Sequence, residues 1–142
     1  MTTSTAPAAV VEARVRVRYA ETDQMGVVYY ANYFVWFEVG RVEYFRAHGF
    51  SYSLMERHDD CHLPVVEAKC RYKSPARYDD ALVIRTRLTR RRGPILHFAY
   101  EIVREADAEL LATGETVHVL VDAKFQAREL PDRYLGLPIA EA

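Results

Sequence analysis

The segment that most constrains this chain is Ala31–Ala47, ANYFVWFEVGRVEYFRA. If it is helical, apolar groups point in almost every direction: Tyr33, Phe34, Val35, Trp36, Phe37, Val39, Val42, Tyr44 and Phe45. The polar residues Glu38, Arg41, Glu43 and Arg46 form only a partial stripe. About 17 residues make a helix roughly 26 Å long. A helix this apolar has to be enclosed by other structure. His48 followed by Gly49 suits its end, with glycine just past the last turn.

The rest of the sequence supplies the enclosure as strands. Val11–Tyr19 alternates Val11, Ala13, Val15, Val17 and Tyr19 with Glu12, Arg14, Arg16 and Arg18, the pattern of a half-buried strand. Leu63–Ser74 sets Val66, Ala68, Cys70 and Tyr72 against Glu67, Lys69, Arg71 and Lys73, and Pro75 ends it. Ala81–Arg91 and Ile95–Arg104 follow, joined by Arg92-Gly93-Pro94. A turn at Glu105–Ala108 leads into a last strand, Glu109–Val121. The order β-α-β-β-β-β with short connections predicts an α+β domain, an antiparallel sheet around one long central helix. We expect a single domain over 1–142, with residues 1–10 as a short disordered tail. A chain near this length buries roughly 70% of its extended surface on folding, and with 50% hydrophobic residues it has the material for a core.

Charge and cysteine content narrow the function classes. With 19 basic against 20 acidic residues, no global field recruits nucleic acid, and the aromatics fall in the expected core. No window approaches the roughly 18 apolar residues of a membrane span. Two cysteines, Cys61 and Cys70, and no basic, apolar leader suggest a cytoplasmic chain with reduced thiols.

The stretch between the first strand and the helix, RYAETDQMGVVYYANY, carries one carboxylate in a turn. Asp-Gln-Met-Gly, with Asp first and Gly fourth, is a type I turn signature, and Asp23 has a role there on turn chemistry alone. A turn can also aim a carboxylate. Packed among Tyr19, Val27, Val28 and Tyr29, Asp23 would be partly desolvated, which raises a carboxylate's basicity. Seven residues on, the Tyr30 N–H is expected at or near the helix's first turn, where amides lack intrahelical partners.

The run RYAETDQMGVVYYANYFVWFEVGRVEYFRAHGF, with the later RYKSPARYDD and ATGETVHVLVD, resembles the hotdog-fold acyl-CoA thioesterases of the 4-hydroxybenzoyl-CoA thioesterase family. The resemblance covers residues 11 to 132. Its most specific part, TDQMGVVYYANY, is similar to that family's catalytic turn. It implies a hotdog fold, one helix wrapped by a five-stranded antiparallel sheet, and hydrolysis of a small or medium acyl- or aryl-CoA to free acid and coenzyme A. It further implies Asp23 as nucleophile or general base, the Tyr30 amide as oxyanion donor, and Tyr19 as the tyrosine four residues ahead of the aspartate. Gly26, Val28 and Tyr29 would adjoin the substrate. Many bacterial relatives have histidine where this chain has Tyr30, so any acid/base role of that histidine is missing here, while a backbone role survives. No cofactor is implied, coenzyme A being part of the substrate. The resemblance also implies a homo-oligomer, a dimer or dimer of dimers. Alternatives are a thioesterase acting on acyl carrier protein and a non-catalytic acyl-CoA-binding protein.

Arg90, Arg91 and Arg92 at the hairpin form the densest positive patch. It is either a solvated edge or a site for the phosphates of coenzyme A, for which arginine forks are suited. Arg128, Lys73 and Arg77 are further basic candidates. Asn32 either hydrogen-bonds locally at the helix start, the favoured reading, or braces the Asp23 turn. Glu38 and Glu43, each with an arginine three residues on, are expected to form ion pairs with Arg41 and Arg46. His58-Asp59-Asp60-Cys61-His62 packs ligand types together, but adjacent residues rarely converge on one ion and no second cluster completes a set, so no metal is expected.

Overall fold

The structure is a computed structural model describing residues 8–140. Most of the tail expected over residues 1–10 lies outside them; within it, the Ala8 carbonyl stands 2.8 Å from His48 Nε2. The strands are β1 (Val11–Arg16), β2 (Val65–Tyr72), β3 (Ala81–Arg92), β4 (Ile95–Arg104) and β5 (Leu110–Val119), and the helices α1 (Asn32–Ala47) and α2 (Tyr52–His58). One antiparallel sheet runs in the order β1-β3-β4-β5-β2. The β3–β4 hairpin closes on Arg92 opposite Ile95, with Gly93 at φ +58 supplying the left-handed backbone of a two-residue turn.

α1 lies across this sheet and buries Tyr33, Trp36, Phe37, Gly40, Tyr44 and Phe45. Phe37 stacks on Tyr100 of β4 with ring centroids 4.4 Å apart. Two glycines permit that closeness. A Cβ on Gly114 of β5 would run into the Phe37 ring, and one on Gly40 would run into the side chain of Thr86 on β3. Burying a side chain such as Phe37 contributes roughly 2–3 kcal/mol, so this contact seats the helix.

Four expectations are corrected. β1 stops at Arg16, because the Glu21 carboxylate accepts the Arg18 N–H at 2.7 Å and folds Tyr19–Glu21 into a 3-10 turn. The stretch Tyr52–His58, for which no element was expected, is helical and buries Met55. The alternating face of β2 is uncovered: every residue from Val65 to Tyr72 except Cys70 is exposed, since β2 is an edge strand. Finally, Arg41 does not pair with Glu38. It turns inward and is buried, its Nε donating to the Tyr52 hydroxyl at 3.3 Å and its Nη1 to that of Tyr100 at 3.2 Å. The Glu43–Arg46 pair does form.

Arg41 begins a chain of polar groups inside the core. Tyr100 Oη lies 2.6 Å from Thr116 Oγ1, which lies 2.8 Å from His118 Nε2, and His118 Nδ1 lies 3.0 Å from the Leu63 carbonyl. A carbonyl only accepts, so Nδ1 carries the proton and Nε2 accepts from Thr116. Donation therefore runs one way, from Arg41 through Tyr100 and Thr116 to His118. Burial, with the Arg41 charge adding to it, pushes the His118 pKa down to about 4, so the ring is neutral at ordinary pH.

Candidate active site

Between β1 and α1 the chain makes a tight hairpin in which Thr22 bridges Val28. The Asp23 N–H donates to the Val27 carbonyl and the Gly26 N–H to the Asp23 carbonyl, both at 2.9 Å. Asp23 Oδ1 accepts the Met25 N–H at 2.8 Å. Gly26 stands at φ +79, the left-handed region glycine enters without strain; a Cβ there would meet nothing, so the backbone conformation is what calls for glycine. The turn reading of Asp23 is thus fulfilled through Oδ1, while Oδ2 has no hydrogen-bond partner among the described residues.

The next residues are pinned from two sides. The Glu21 carbonyl accepts the Tyr29 N–H and the Asn32 side-chain amide, each at 2.9 Å. Asn32 therefore ties the helix start back to the residues just before Asp23, which is the bracing reading and not the favoured local bond. From the other side Tyr72, the last residue of β2, donates its hydroxyl to the Tyr30 carbonyl at 2.9 Å. Tyr30 sits one residue before the helix cap Ala31. Among the described residues no acceptor is bonded to the Tyr30 or Ala31 amides.

Asp23, Met25, Val28, Tyr30, Tyr33 and Tyr72 share a mostly apolar cavity of about 330 Å³, with Lys73 and Pro75 also on its wall. A carboxylate oxygen without a partner and a free backbone amide, on two residues that line one apolar cavity, can together activate water, or attack, and stabilise a developing oxyanion.

Val28, on that cavity as expected, is buried with its N–H on the Ala76 carbonyl at 2.8 Å; the other expected residues separate. Tyr29 packs on Tyr30 with centroids 4.7 Å apart, half exposed outside that lining. Tyr19 is 77% exposed, its ring edge-on to Tyr78, because the 3-10 turn swings it off the core face of β1. Arg90 and Arg92 are exposed at the hairpin tip, and Arg91 donates to the Leu135 carbonyl at 3.3 Å. That tip is at the end of β3 away from Ala81, roughly 30 Å along the strand from the residues abutting the turn, so one chain does not bring hairpin and Asp23 together. Arg128 is spent elsewhere: its Nη1 donates to the Asp59 carbonyl at 2.6 Å and the Asp60 carbonyl at 3.2 Å, which anchors the C-terminal segment. Asp59 in turn meets Arg133 at 2.9 Å and the Tyr134 hydroxyl. No group of three or more metal-type side chains gathers among the described residues.

Sequence reasoning missed Tyr72 and Met25 as neighbours of Asp23. Tyr72 is the one aromatic on β2, lying just ahead of Pro75, and that position was the available signal.

A five-stranded antiparallel sheet packed on one long helix, with a carboxylate turn just ahead of the helix entrance, defines a hotdog protein. The chain belongs to the thioesterase-like superfamily, whose sequence profile matches residues 17–135. It is 40% identical over 118 residues to the acyl-CoA thioester hydrolase YbgC of Escherichia coli O6:H1, covering 82% of this chain and 87% of that one. Among solved structures, the DHNA-CoA thioesterase of Staphylococcus aureus superposes with a TM-score of 0.81 at 35% identity, over 89% of this chain and 83% of that one. The 4-hydroxybenzoyl CoA thioesterase of Pseudomonas sp. strain CBS-3 superposes with a TM-score of 0.84 over 92% of this chain and all of that one; at 23% identity that likeness is one of fold.

Proposed function

We propose that this protein is an acyl-CoA thioesterase that hydrolyses a small or medium acyl- or aryl-CoA to the free acid and coenzyme A. Asp23 acts as nucleophile or general base, and the Tyr30 amide receives the oxyanion. The observation that carries this reading is the unpartnered Asp23 oxygen and the free Tyr30 amide on residues lining one cavity of about 330 Å³. The names of YbgC and the Staphylococcus aureus enzyme support the reaction class. In the step itself water, or Asp23 followed by water, adds to the thioester carbonyl. The C–S bond breaks, the thiolate leaves with coenzyme A, and it takes up a proton from solvent.

The active form in this reading is a dimer or dimer of dimers. Its support is the uncovered β2 edge, with Val65 and Val66 exposed and Val65 sharing a surface cleft with the exposed Val35 of α1, since such an edge needs a partner. An antiparallel second copy would also carry its arginine hairpin toward this chain's helix entrance, closing the roughly 30 Å gap that one chain leaves. A cytoplasmic setting belongs to the same reading, supported by the unbridged thiols of Cys61 and Cys70.

The test is free-thiol release from short, long and aromatic acyl-CoAs, for wild type and Asp23→Asn. Turnover lost only in the variant is the expected result. Turnover that survives in Asp23→Asn removes Asp23 from the mechanism, and no turnover in either protein overturns the hydrolase reading for acyl-CoA.

A further inference from the structure

Resting on the hydrolytic reading above, we infer that Tyr72 is a positioning residue: its hydroxyl anchors the peptide unit between Tyr30 and Ala31 and so makes the Ala31 amide a second, aimed oxyanion donor. The geometry begins with the 2.9 Å hydrogen bond from the Tyr72 hydroxyl to the Tyr30 carbonyl, a contact spanning 42 residues of sequence. That carbonyl and the Ala31 N–H belong to one planar peptide unit, so holding the oxygen fixes the direction of the N–H on the opposite side. The Ala31 N–H has no acceptor among the described residues. Hydrogen bonding to the carbonyl also polarises the unit and strengthens its N–H as a donor.

The tyrosine is itself well placed to act as an anchor. Its ring packs edge-on to Tyr33 with centroids 5.0 Å apart and to Tyr30 at 6.5 Å. Its backbone is registered against Ala112 of β5. It borders the same cavity as Asp23. A phenol stays protonated through the neutral range and remains a donor there. No other side chain bonds to the Tyr30–Ala31 peptide among the described residues; the other donor to the Tyr30 carbonyl is the Tyr33 N–H, at 3.3 Å. The arrangement hangs the oxyanion geometry on the edge strand of the sheet and not on the helix alone.

Tyr72→Phe tests this, since the ring stays and only the hydroxyl leaves. On an acyl-CoA that wild type hydrolyses, kcat is expected to fall about tenfold, the worth of one well-placed hydrogen bond, with KM nearly unchanged. Two inert probes separate positioning from pocket lining. An S-alkyl-CoA thioether, which has no carbonyl, should bind both proteins alike. A CoA-linked trifluoromethyl ketone, which becomes tetrahedral on binding, should lose about the same tenfold. Unchanged kcat, or thioether affinity lost in step with kcat, overturns the inference. A third readout needs no substrate: in spectra of 15N-labelled protein, the Ala31 amide should shift in Tyr72→Phe more than that of Met25. A stationary Ala31 signal overturns the inference even if the wild type turns out to hydrolyse nothing, whereas absent wild-type turnover with a shifted Ala31 signal overturns the hydrolase reading and leaves the anchor standing.

Discussion

At the entrance of α1, Asp23 and Tyr30 line an apolar cavity, and a carboxylate oxygen of one and the amide of the other have no partner among the described residues. Three turns further along the same helix, Arg41 starts a chain in which each hydroxyl and ring nitrogen, from Tyr100 through Thr116 to His118, is used by a neighbour. Both stations sit on one helix and rest on the same sheet. The interior one obeys the rule that buried polar groups find partners. The entrance departs from it where a substrate would supply what is missing. Polar groups left over on an apolar wall therefore mark the site better than polar groups as such: Arg41 and His118 are more deeply buried than Asp23, yet both are held by hydrogen bonds to neighbouring groups.

The contrast can be broken most severely at its open end. Asp23→Asn should lower turnover on the order of a thousandfold, within the range that a general base or nucleophile contributes. Thermal unfolding should hardly move, because the asparagine oxygen still accepts the Met25 N–H. Thiol release and a melting curve on the same preparation read both halves of that statement.

At the closed end the expected effect is on stability and depends on pH. His118 stays neutral in the fold down to about pH 4, whereas in the unfolded chain it takes a proton near 6.5. Between those values the unfolded state binds the extra proton. Stability is therefore lost as pH falls from about 6.5 to about 4, by roughly 3 kcal/mol over the whole interval. Urea unfolding across that range should show the slope, and His118→Asn should flatten it. A wild type equally stable at both ends would show that the chain is not closed.

Smaller effects sharpen the picture. Replacing Arg90, Arg91 and Arg92 together by alanine should raise KM for acyl-CoA about tenfold and weaken its salt dependence. An N-acetylcysteamine thioester, which lacks the nucleotide, should be hydrolysed as before. Equal losses on both substrates would move the hairpin out of nucleotide binding. Least of all should come from Tyr19→Phe: with its side chain 77% exposed and turned toward Tyr78, turnover should stay within about twofold of wild type.

The central helix, the five strands and the Asp23 turn were readable because each rests on a local signal: apolar period, alternation, or turn chemistry. What escaped depends on distance. Alternation in Val65–Tyr72 names a strand but cannot say that its apolar face has no cover, since that follows from the place of β2 at the sheet edge. Arg41 reads as part of a polar stripe until Tyr100, 59 residues on, draws it inward. Tyr52–His58 is two turns long and buries one residue, too little for a periodic signal. Asn32 and Tyr72 reach carbonyls 11 and 42 residues away, and although their positions single them out, the local pattern does not name the carbonyl each one meets.

The glycines at 40 and 114 bear on how this sequence can vary. Even alanine at either position forces a Cβ into Thr86 or Phe37 and lifts the helix from the sheet. In a saturation library both sites would look as intolerant as Asp23 if survivors were sorted by activity alone. Sorting by cellular abundance as well would divide them: glycine substitutions would vanish from the pool of folded protein, and Asp23 substitutions would remain in it, silent. Intolerance at 40 and 114 is thus a record of spacing, written in the same letters as the record of chemistry.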